Sequence, residues 1–167
     1  MSAKPLNIFP GDPPTVPPVL WERNWSSRID LKQQIMDEIA DLLINRGWVA
    51  KDDRVWLYLC FDEVVVNAML HGNEGDPRLE IELTVRVDDL RWVVTVSDQG
   101  DGFVETAIPD ESQPESLLLE HGRGIRLMQE WLDELTYYQR GSLAWLSRRR
   151  ADRPTALPVS DSISHPL

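Results

Sequence analysis

The sequence predicts an α+β fold, a two-layer sandwich in which a mostly antiparallel sheet is covered on one face by helices. Segments with strand periodicity occur in neighbouring pairs, and segments with helix periodicity stand apart from them. The chain has 167 residues, of which 42% are hydrophobic, enough for the core of one domain. We therefore expect a single domain over residues 19–149 with the element order β-α-α-ββ-loop-α-ββ.

The first three elements are a strand and two helices. Residues 19–28 are predicted to form a strand. Residues 29–46 carry apolar side chains at helical spacing, and Gly47 follows as a stop signal. Residues 54–71 are predicted to form the second helix, and the loop 72–77 ends it.

The apolar residues of the second predicted helix indicate which of its faces contacts the core. Five of its apolar residues fall within an arc of roughly 100° on a helical wheel. We expect this arc to face the core: Val55, Leu59, Val66, Met69 and Leu70. Asp62 falls in the same arc, where it either caps a loop amide or marks a bend. Asp52 or Asp53 can cap the start of this helix.

The second half of the domain is predicted to contain two hairpins and a short helix. Apolar and polar residues alternate over residues 78–87, and residues 90–97 are rich in β-branched residues, so together they predict an antiparallel hairpin with one buried face. Residues 124–132 are predicted to form a helix, and residues 135–139 and 143–149 the second hairpin.

Both ends of the chain are expected to lie outside the domain. Six of the twelve prolines fall within residues 1–18, which predicts an extended, flexible arm. Residues 150–167 are rich in proline and serine and show no periodicity, which predicts a flexible tail.

Charge and composition exclude several classes of function. The formal net charge is −11, all of it within residues 21–149, which argues against nucleic-acid binding. One bound nucleotide is still compatible with this charge, because backbone amides and a metal ion can hold it. No apolar run approaches the roughly 20 residues of a membrane span, and the first 20 residues lack the apolar region expected of a secretory signal. Cys60 is the single cysteine, so we expect no internal disulfide and a reducing, cytoplasmic setting.

The first cluster that could carry chemistry lies on the second predicted helix. Glu63, Asn67 and His71 are spaced four residues apart and form one stripe. A solvated polar edge is the simpler interpretation. The functional interpretation is a cleft wall, in which Asn67 holds a hard cation through its oxygen and Glu63 acts as a base. For His71, packing under a loop is the favoured interpretation.

The second cluster, DQGDGF at residues 98–103, directly follows a predicted strand. Asp98 stands at the strand end, where its carboxylate can accept a hydrogen bond from an exocyclic amine. Gly100 and Gly102 permit close approach of the backbone to a ligand. An ordinary strand-exit turn has the same pattern, so this cluster alone is weak evidence.

The third cluster, HGRG at residues 121–124, opens the short predicted helix. Glycines at a helix N-terminus expose backbone N–H groups that suit a phosphate, although a flexible loop has the same composition. The pattern is not a Rossmann fingerprint, since no βαβ unit surrounds it, and it is not a Walker A loop.

In this order and spacing the three clusters resemble the GHKL ATPase superfamily, which includes gyrase-type, heat-shock-chaperone, histidine-kinase and mismatch-repair ATPases. FDEVVVNAMLHGN looks like its N box, SDQGDGF like its first glycine box and HGRGIRLM like its second. The resemblance covers about residues 20–149. It implies the Bergerat ATPase fold, with ATP as ligand and Mg²⁺ as cofactor.

Within that superfamily the chain is most similar to the small bacterial anti-sigma-factor serine/threonine kinases. We expect the ATPase domain to stand almost alone, without a phosphoacceptor histidine domain before it, and the loop between the glycine boxes is short. The segment GRGIRLMQEWLDELTYYQRGSLAWLSRRR also looks like that family's final helix and hairpin.

The resemblance implies roles for the matching residues. Glu63 would be the general base that takes the proton from an attacking hydroxyl. Asn67 would ligate the Mg²⁺ that bridges the ATP phosphates, and Asp98 would bind the adenine amino group. The other matching positions would bring the backbone close to the base and ribose or form the lid over the phosphates. They are Gly100 and Gly102 for the base and ribose, and Gly122, Arg123 and Gly124 for the lid.

The expected function is therefore an ATP-dependent protein-serine/threonine kinase that acts as an anti-sigma factor. Its implied partners are a STAS-type anti-sigma-factor antagonist, an RNA polymerase sigma factor and a second copy of the chain in a homodimer. Two alternatives stay open: a nucleotide-binding partner-switch module without kinase activity, and a detached ATPase domain of a sensor histidine kinase. The presence of Glu63 and Asn67 favours catalysis over binding alone.

Overall fold

A computed structural model describes residues 6–102 and 123–151, with the backbone alone for Arg123. Six strands are present there: β1 Asn7–Ile8, β2 Val19–Ser26, β3 Glu80–Val87, β4 Arg91–Ser97, β5 Glu134–Tyr138 and β6 Leu143–Arg149. They form one sheet in the order β1-β5-β6-β4-β3-β2. The contact between β1 and β5 is parallel and all the others are antiparallel. The predicted mostly antiparallel sheet is confirmed.

In the described part of the chain, three α-helices cover one face of the sheet, as predicted. Their bounds are α1 Lys32–Asn45, α2 Arg54–Val66 and α3 Arg123–Trp131. The middle helix α2 contacts both α1 and α3, and all three contribute to the main core beneath them. None of the helices in the described part of the chain is long and apolar enough to cross a membrane.

The predicted core face of α2 is wrong. Val55 is 59% exposed, and Leu59 and Leu70 are each 43% exposed, so these side chains lie on the outer surface. Met69 is buried as expected. The buried residues of α2 are instead Leu57, Cys60, Phe61, Val64 and Val65. Because α2 is apolar around most of its circumference, its periodicity does not select one face.

Two aspartates near α2 have partners that the sequence did not indicate. Asp62 lies on the outer side, where its carboxylate pairs with Lys32 Nζ at 2.6 Å, which explains a charge within the predicted apolar arc. Asp53 occupies the N-cap position, but its side chain makes no capping hydrogen bond. Instead it accepts from Arg148 Nη1 at 3.4 Å. The predicted cap is wrong because the chain enters α2 through a 3₁₀ turn, Lys51–Asp53, without the extended backbone that a capping residue needs.

The second face of the sheet is also partly covered. Val93, Leu143 and Trp145 form a small buried cluster there, with Tyr138 packed against it. The centre of β4 is therefore buried on both faces, whereas the sequence predicts one buried face.

Residues 6–18 pack against the domain, which differs from the predicted flexible arm. β1 extends the sheet, and Arg86 Nη1 donates to the carbonyl oxygens of Thr15 at 2.8 Å and Pro17 at 3.0 Å. A proline-rich segment lacks N–H donors but keeps its carbonyl acceptors, so donors from the sheet can hold it in place. Residues 1–5 lie outside the described part.

At the other end, Arg150 and Ala151 still contact the domain. The Arg150 guanidinium lies 3.9 Å from the centre of the Trp48 ring, and the Ala151 N–H donates to the Trp48 carbonyl oxygen at 3.0 Å. The rest of the predicted tail, residues 152–167, lies outside the described residues.

Candidate functional site

The candidate site is a cleft between the end of α2, the loop after β4 and the turn between β5 and β6. A cavity of about 210 Å³ lies there. Its lining includes Asn67, His71, Asp98, Gly102 and Tyr137. The fold thus brings residues of the first two sequence clusters to one cavity.

The end of α2 changes its helical geometry at the site. The sequence predicts one helix over 54–71, but the α-helix ends at Val66 and continues as a π-helical turn, Asn67–Gly72. Such turns are rare and often lie at functional sites. Asn67 Nδ2 lies 3.4 Å from Glu63 Oε1 and donates to it. The carbonyl oxygen is then the atom of the Asn67 side chain that can ligate a cation.

The first turn of α3 lies against Glu63. A Cβ atom built on Gly124 would be 2.5 Å from Glu63 Oε2, so a larger residue at this position would displace the carboxylate. A helix N-terminus carries partial positive charge and favours a carboxylate beside it. This contact joins the third cluster to the first. Gly122 lies outside the described residues, and Arg123 is the first residue of α3.

Asp98 lies at the cavity wall directly after β4. Its backbone N–H donates to the Ser142 carbonyl oxygen at 2.9 Å, and its Oδ1 accepts from the Gly100 N–H at 2.8 Å. Burial raises the pKa of Asp98 to about 6, against the lowering effect of the Gly100 hydrogen bond. A half-buried carboxylate held in this way can accept a hydrogen bond from an amine inside the cavity.

Glycines allow the segments around Asp98 to pack closely. A Cβ on Gly72 would lie 2.2 Å from Asp98 Cγ, and one on Gly100 would lie 2.2 Å from the Gly72 carbonyl oxygen. Gly102 has a φ of +84°, and its Cβ would lie 2.2 Å from the Arg140 carbonyl oxygen. The sequence predicts close approach of these glycines to a ligand. In the structure, Gly100 and Gly102 approach the protein's own backbone, and the sequence analysis did not single out Gly72.

Asn73 is a second residue that the sequence analysis missed. It is 1% exposed. Its Nδ2 donates to Ser27 Oγ at 2.6 Å and to the Glu80 carbonyl oxygen at 2.9 Å, and its Oδ1 accepts from the Gln99 N–H at 2.8 Å. Asn73 therefore fixes the segment that carries Asp98 to the sheet. Its place as the last residue of the N-box match, two residues after the predicted helix, was the available signal.

Tyr137 was predicted only as a strand residue, yet it lines the cavity and is 3% exposed. Burial raises the pKa of its hydroxyl, and the charges of Glu63 and Asp98 raise it further. The charges of both candidate carboxylates therefore act on Tyr137, and its hydroxyl stays protonated as a hydrogen-bond donor. His71 also lines the cavity, on an exposed part of the π-helical turn.

The donor set is compatible with a magnesium ion shared with phosphates. The described residues contain no group of three or more His, Cys, Asp and Glu side chains that could hold a metal by itself. Mg²⁺ usually keeps several waters and binds through one or two protein ligands together with substrate phosphates. The amide oxygen of Asn67 suits that requirement as a hard ligand.

Comparison with known families gives the site its context. The sequence model of the histidine kinase-like ATPase domain matches residues 26–148, a range that contains all three clusters and the helices α1, α2 and α3. The chain belongs to this family. The GHKL-type resemblance of the motifs is confirmed, and the α+β sheet with its helical layer is consistent with that ATPase fold.

Two curated proteins named Anti-sigma F factor are similar to this histidine kinase-like ATPase domain. The protein from Anoxybacillus flavithermus (strain DSM 21510 / WK1) is 30% identical over 80 residues, which is 47% of this chain and 55% of that protein. The protein from Geobacillus stearothermophilus is 27% identical over 100 residues, which is 56% of this chain and 67% of that protein. The chain therefore spans between about half and two thirds of the length of these relatives.

Proposed function

We propose that this ATPase domain is an ATP-dependent protein-serine/threonine kinase and anti-sigma factor. Its substrate is a STAS-type anti-sigma-factor antagonist, and its second partner is an RNA polymerase sigma factor in the cytoplasm. The family membership and the two similar Anti-sigma F factor proteins support this proposal. The observation that carries the catalytic part is the position of Glu63, between the Asn67 amide and the first turn of α3.

The proposed binding mode follows the polarity of the cleft. In this mode the adenine amino group donates to Asp98, beside the glycine-packed backbone. The phosphates lie toward Asn67 and the N-terminus of α3, where exposed N–H groups favour negative charge. We expect micromolar affinity for ATP and ADP, on the order of 10⁻⁶ M.

The proposed reaction uses Glu63 as the general base. The incoming serine or threonine hydroxyl gives its proton to the Glu63 carboxylate as its oxygen bonds to the γ-phosphorus. The bond between that phosphorus and the β–γ bridging oxygen breaks, and ADP leaves with the bonding electrons. Glu63 then returns the proton to solvent. Bound Mg²⁺ would neutralise phosphate charge, and Asn67 is the residue that would hold it.

The test is transfer of labelled phosphate from ATP to a co-encoded STAS-type protein. Glu63→Gln keeps size and hydrogen bonding but loses basicity, so transfer should fall by roughly 10²- to 10⁴-fold while ATP still binds. Asn67→Ala should lose both Mg²⁺-dependent ATP affinity and turnover. Asp62→Asn is the matched control, because this neighbouring carboxylate lies on the outer side of α2 and pairs with Lys32. It should transfer at the wild-type rate.

Two results would contradict the catalytic proposal. Wild-type turnover in Glu63→Gln would mean that another residue is the base. Tight binding of ATP and of the STAS partner without any transfer by the wild-type protein would instead identify a nucleotide-binding partner-switch module.

We also propose a homodimer as the working unit. Sedimentation at tens of micromolar should give about twice the chain mass of 19.2 kDa. A single species at the chain mass would refute the dimer without affecting the kinase proposal.

A further inference from the structure

Residues Phe9–Asp12, which we call the N-terminal clamp, hold the turn between β5 and β6. The Gln139 N–H donates to the Gly11 carbonyl oxygen at 2.8 Å, and the Arg140 N–H donates to the Phe9 carbonyl oxygen at 3.0 Å. Gln139 Nε2 also donates to Asp12 Oδ1 at 3.0 Å. Two backbone bonds and one side-chain bond therefore join the clamp to two consecutive residues of the turn.

An aromatic contact seats the clamp on the sheet. The Phe9 ring stacks on Tyr138, with the ring centres 5.7 Å apart and the planes at 28°. Tyr138 in turn packs edge-on against Trp145. The clamp is thus anchored to the second face of the sheet, opposite the helices.

The turn that the clamp holds has a strained backbone. Gln139 and Arg140 have φ values of 51° and 60°, in the left-handed region that non-glycine residues seldom adopt. Residues in this region keep their conformation only where surrounding contacts enforce it. The N–H groups of both strained residues donate to the clamp, so the clamp supplies part of that enforcement.

The same turn forms one wall of the nucleotide cavity. The Arg140 carbonyl oxygen occupies the space beside Gly102 that a Cβ would fill. The Ser142 carbonyl oxygen accepts the Asp98 N–H, and Ser142 Oγ donates to the Gln139 carbonyl oxygen at 3.1 Å. A displacement of the turn would therefore move both Asp98 and Gly102.

We propose that the N-terminal clamp positions the purine end of the cavity and sets its preference for adenine, with Phe9 and Asp12 as positioning residues. This inference rests on the proposed placement of adenine at Asp98. The clamp lies outside residues 26–148, the range that matches the family model. It acts through the turn rather than by touching the nucleotide.

The test compares ATP with GTP in the double variant Phe9→Ala/Asp12→Ala, by calorimetry on the full chain. GTP presents a carbonyl oxygen where ATP presents its amine, so it does not use Asp98 as an acceptor. ATP affinity should fall about fivefold, the low end of typical coupling between linked sites, with GTP affinity unchanged. The single variant Asp12→Asn keeps the native Phe9 and a carbonyl acceptor for Gln139. Its ATP affinity should therefore be close to that of the wild type.

Two variants serve as controls. Gly11→Ala leaves the clamp intact, because a Cβ on Gly11 would meet nothing within 4 Å. Asp89→Ala removes one exposed negative charge in the turn between β3 and β4, at the end of β4 that is remote from Asp98. Both should keep the wild-type ratio of ATP to GTP affinity.

Amide hydrogen exchange without nucleotide separates this inference from the proposed function. The Asp98 and Gly100 amides should exchange several-fold faster in the double variant, while the core of α1 is unchanged. If the wild type binds no ATP, the proposed function fails, and faster exchange would still support the clamp's control of this loop. In a folded double variant, an unchanged ATP to GTP ratio would overturn the clamp's role in the preference for adenine, and unchanged exchange would overturn its positioning of the loop. If the double variant does not fold, Asp12→Ala alone is measured, and the same two readouts decide.

Discussion

Adenosine binding should weaken as the pH falls through 6, because Asp98 must be ionised to act as a full acceptor for the adenine amine. Burial raises the pKa of this carboxyl to about 6, so a neutral solution leaves it charged and a mildly acidic one protonates it. Adenosine is the probe of choice because it carries no phosphate whose own ionisation would change over the same range.

The expected size follows from the titration of one group. With a pKa of about 6 in the free protein, about 10% of Asp98 is protonated at pH 7 and about 90% at pH 5. If only the ionised form binds, the apparent dissociation constant rises about tenfold from pH 7 to pH 5 and changes little between pH 7 and pH 8. Asp98→Asn should bind roughly 10-fold more weakly than wild type at pH 7 to pH 8, since a charged acceptor is lost, and the difference should shrink toward pH 5, where wild-type Asp98 is itself mostly protonated.

Calorimetric titration with adenosine from pH 5 to pH 8 measures both effects. Asp98→Asn should show a flat profile, whereas Asp101→Asn is the matched control and should keep the wild-type slope. Asp101 is exposed and lies three residues further along the same loop. A flat wild-type profile, or a slope that survives in Asp98→Asn, would show that Asp98 is not the acceptor.

The raised pKa of Asp98 also predicts an effect on stability. Because the folded-state pKa of Asp98 lies above the ordinary 3.8, the folded state loses stability as the pH rises from about 4 to about 6. Asp98→Asn should therefore have a higher Tm than wild type at pH 8, and thermal scans at pH 4 should show that the gain shrinks. Gly72→Ala places a Cβ 2.2 Å from Asp98 Cγ and should lower adenosine affinity at least about tenfold in the same calorimetric assay. Leu57→Ala should cost about 2–5 kcal/mol in urea unfolding, whereas Leu59→Ala, on the outer face, should cost about 0.5 kcal/mol.

Local sequence patterns predicted the elements well because each is encoded by its own residues. The first hairpin follows from the alternation of apolar and polar residues over 79–87 and from the β-branched run 93–96, and the end of α1 follows from Gly47, whose φ is +77°. The packing of residues 6–18 could not be predicted in this way. Its donors are Arg86 and the turn at Gln139 and Arg140, which are far away in sequence, and a proline-rich composition is equally typical of an unattached arm.

The candidate site could be predicted even though the core face of α2 was not, and the geometry of the helix explains why. At 100° per residue, Glu63 and Asn67 lie between the outer face, marked by Val55 and Leu59, and the inner face, marked by Leu57. A polar stripe between these two faces lies at the edge of the buried surface, whichever of the two faces is the buried one. Its neighbours along the cleft could not be inferred from α2 itself, because Tyr137 reaches the stripe from β5 and Gly124 reaches it from α3. The spacing on α2 therefore identifies the chemical groups, whereas the pairing of α2 with β5 and α3 determines which additional residues can act on them.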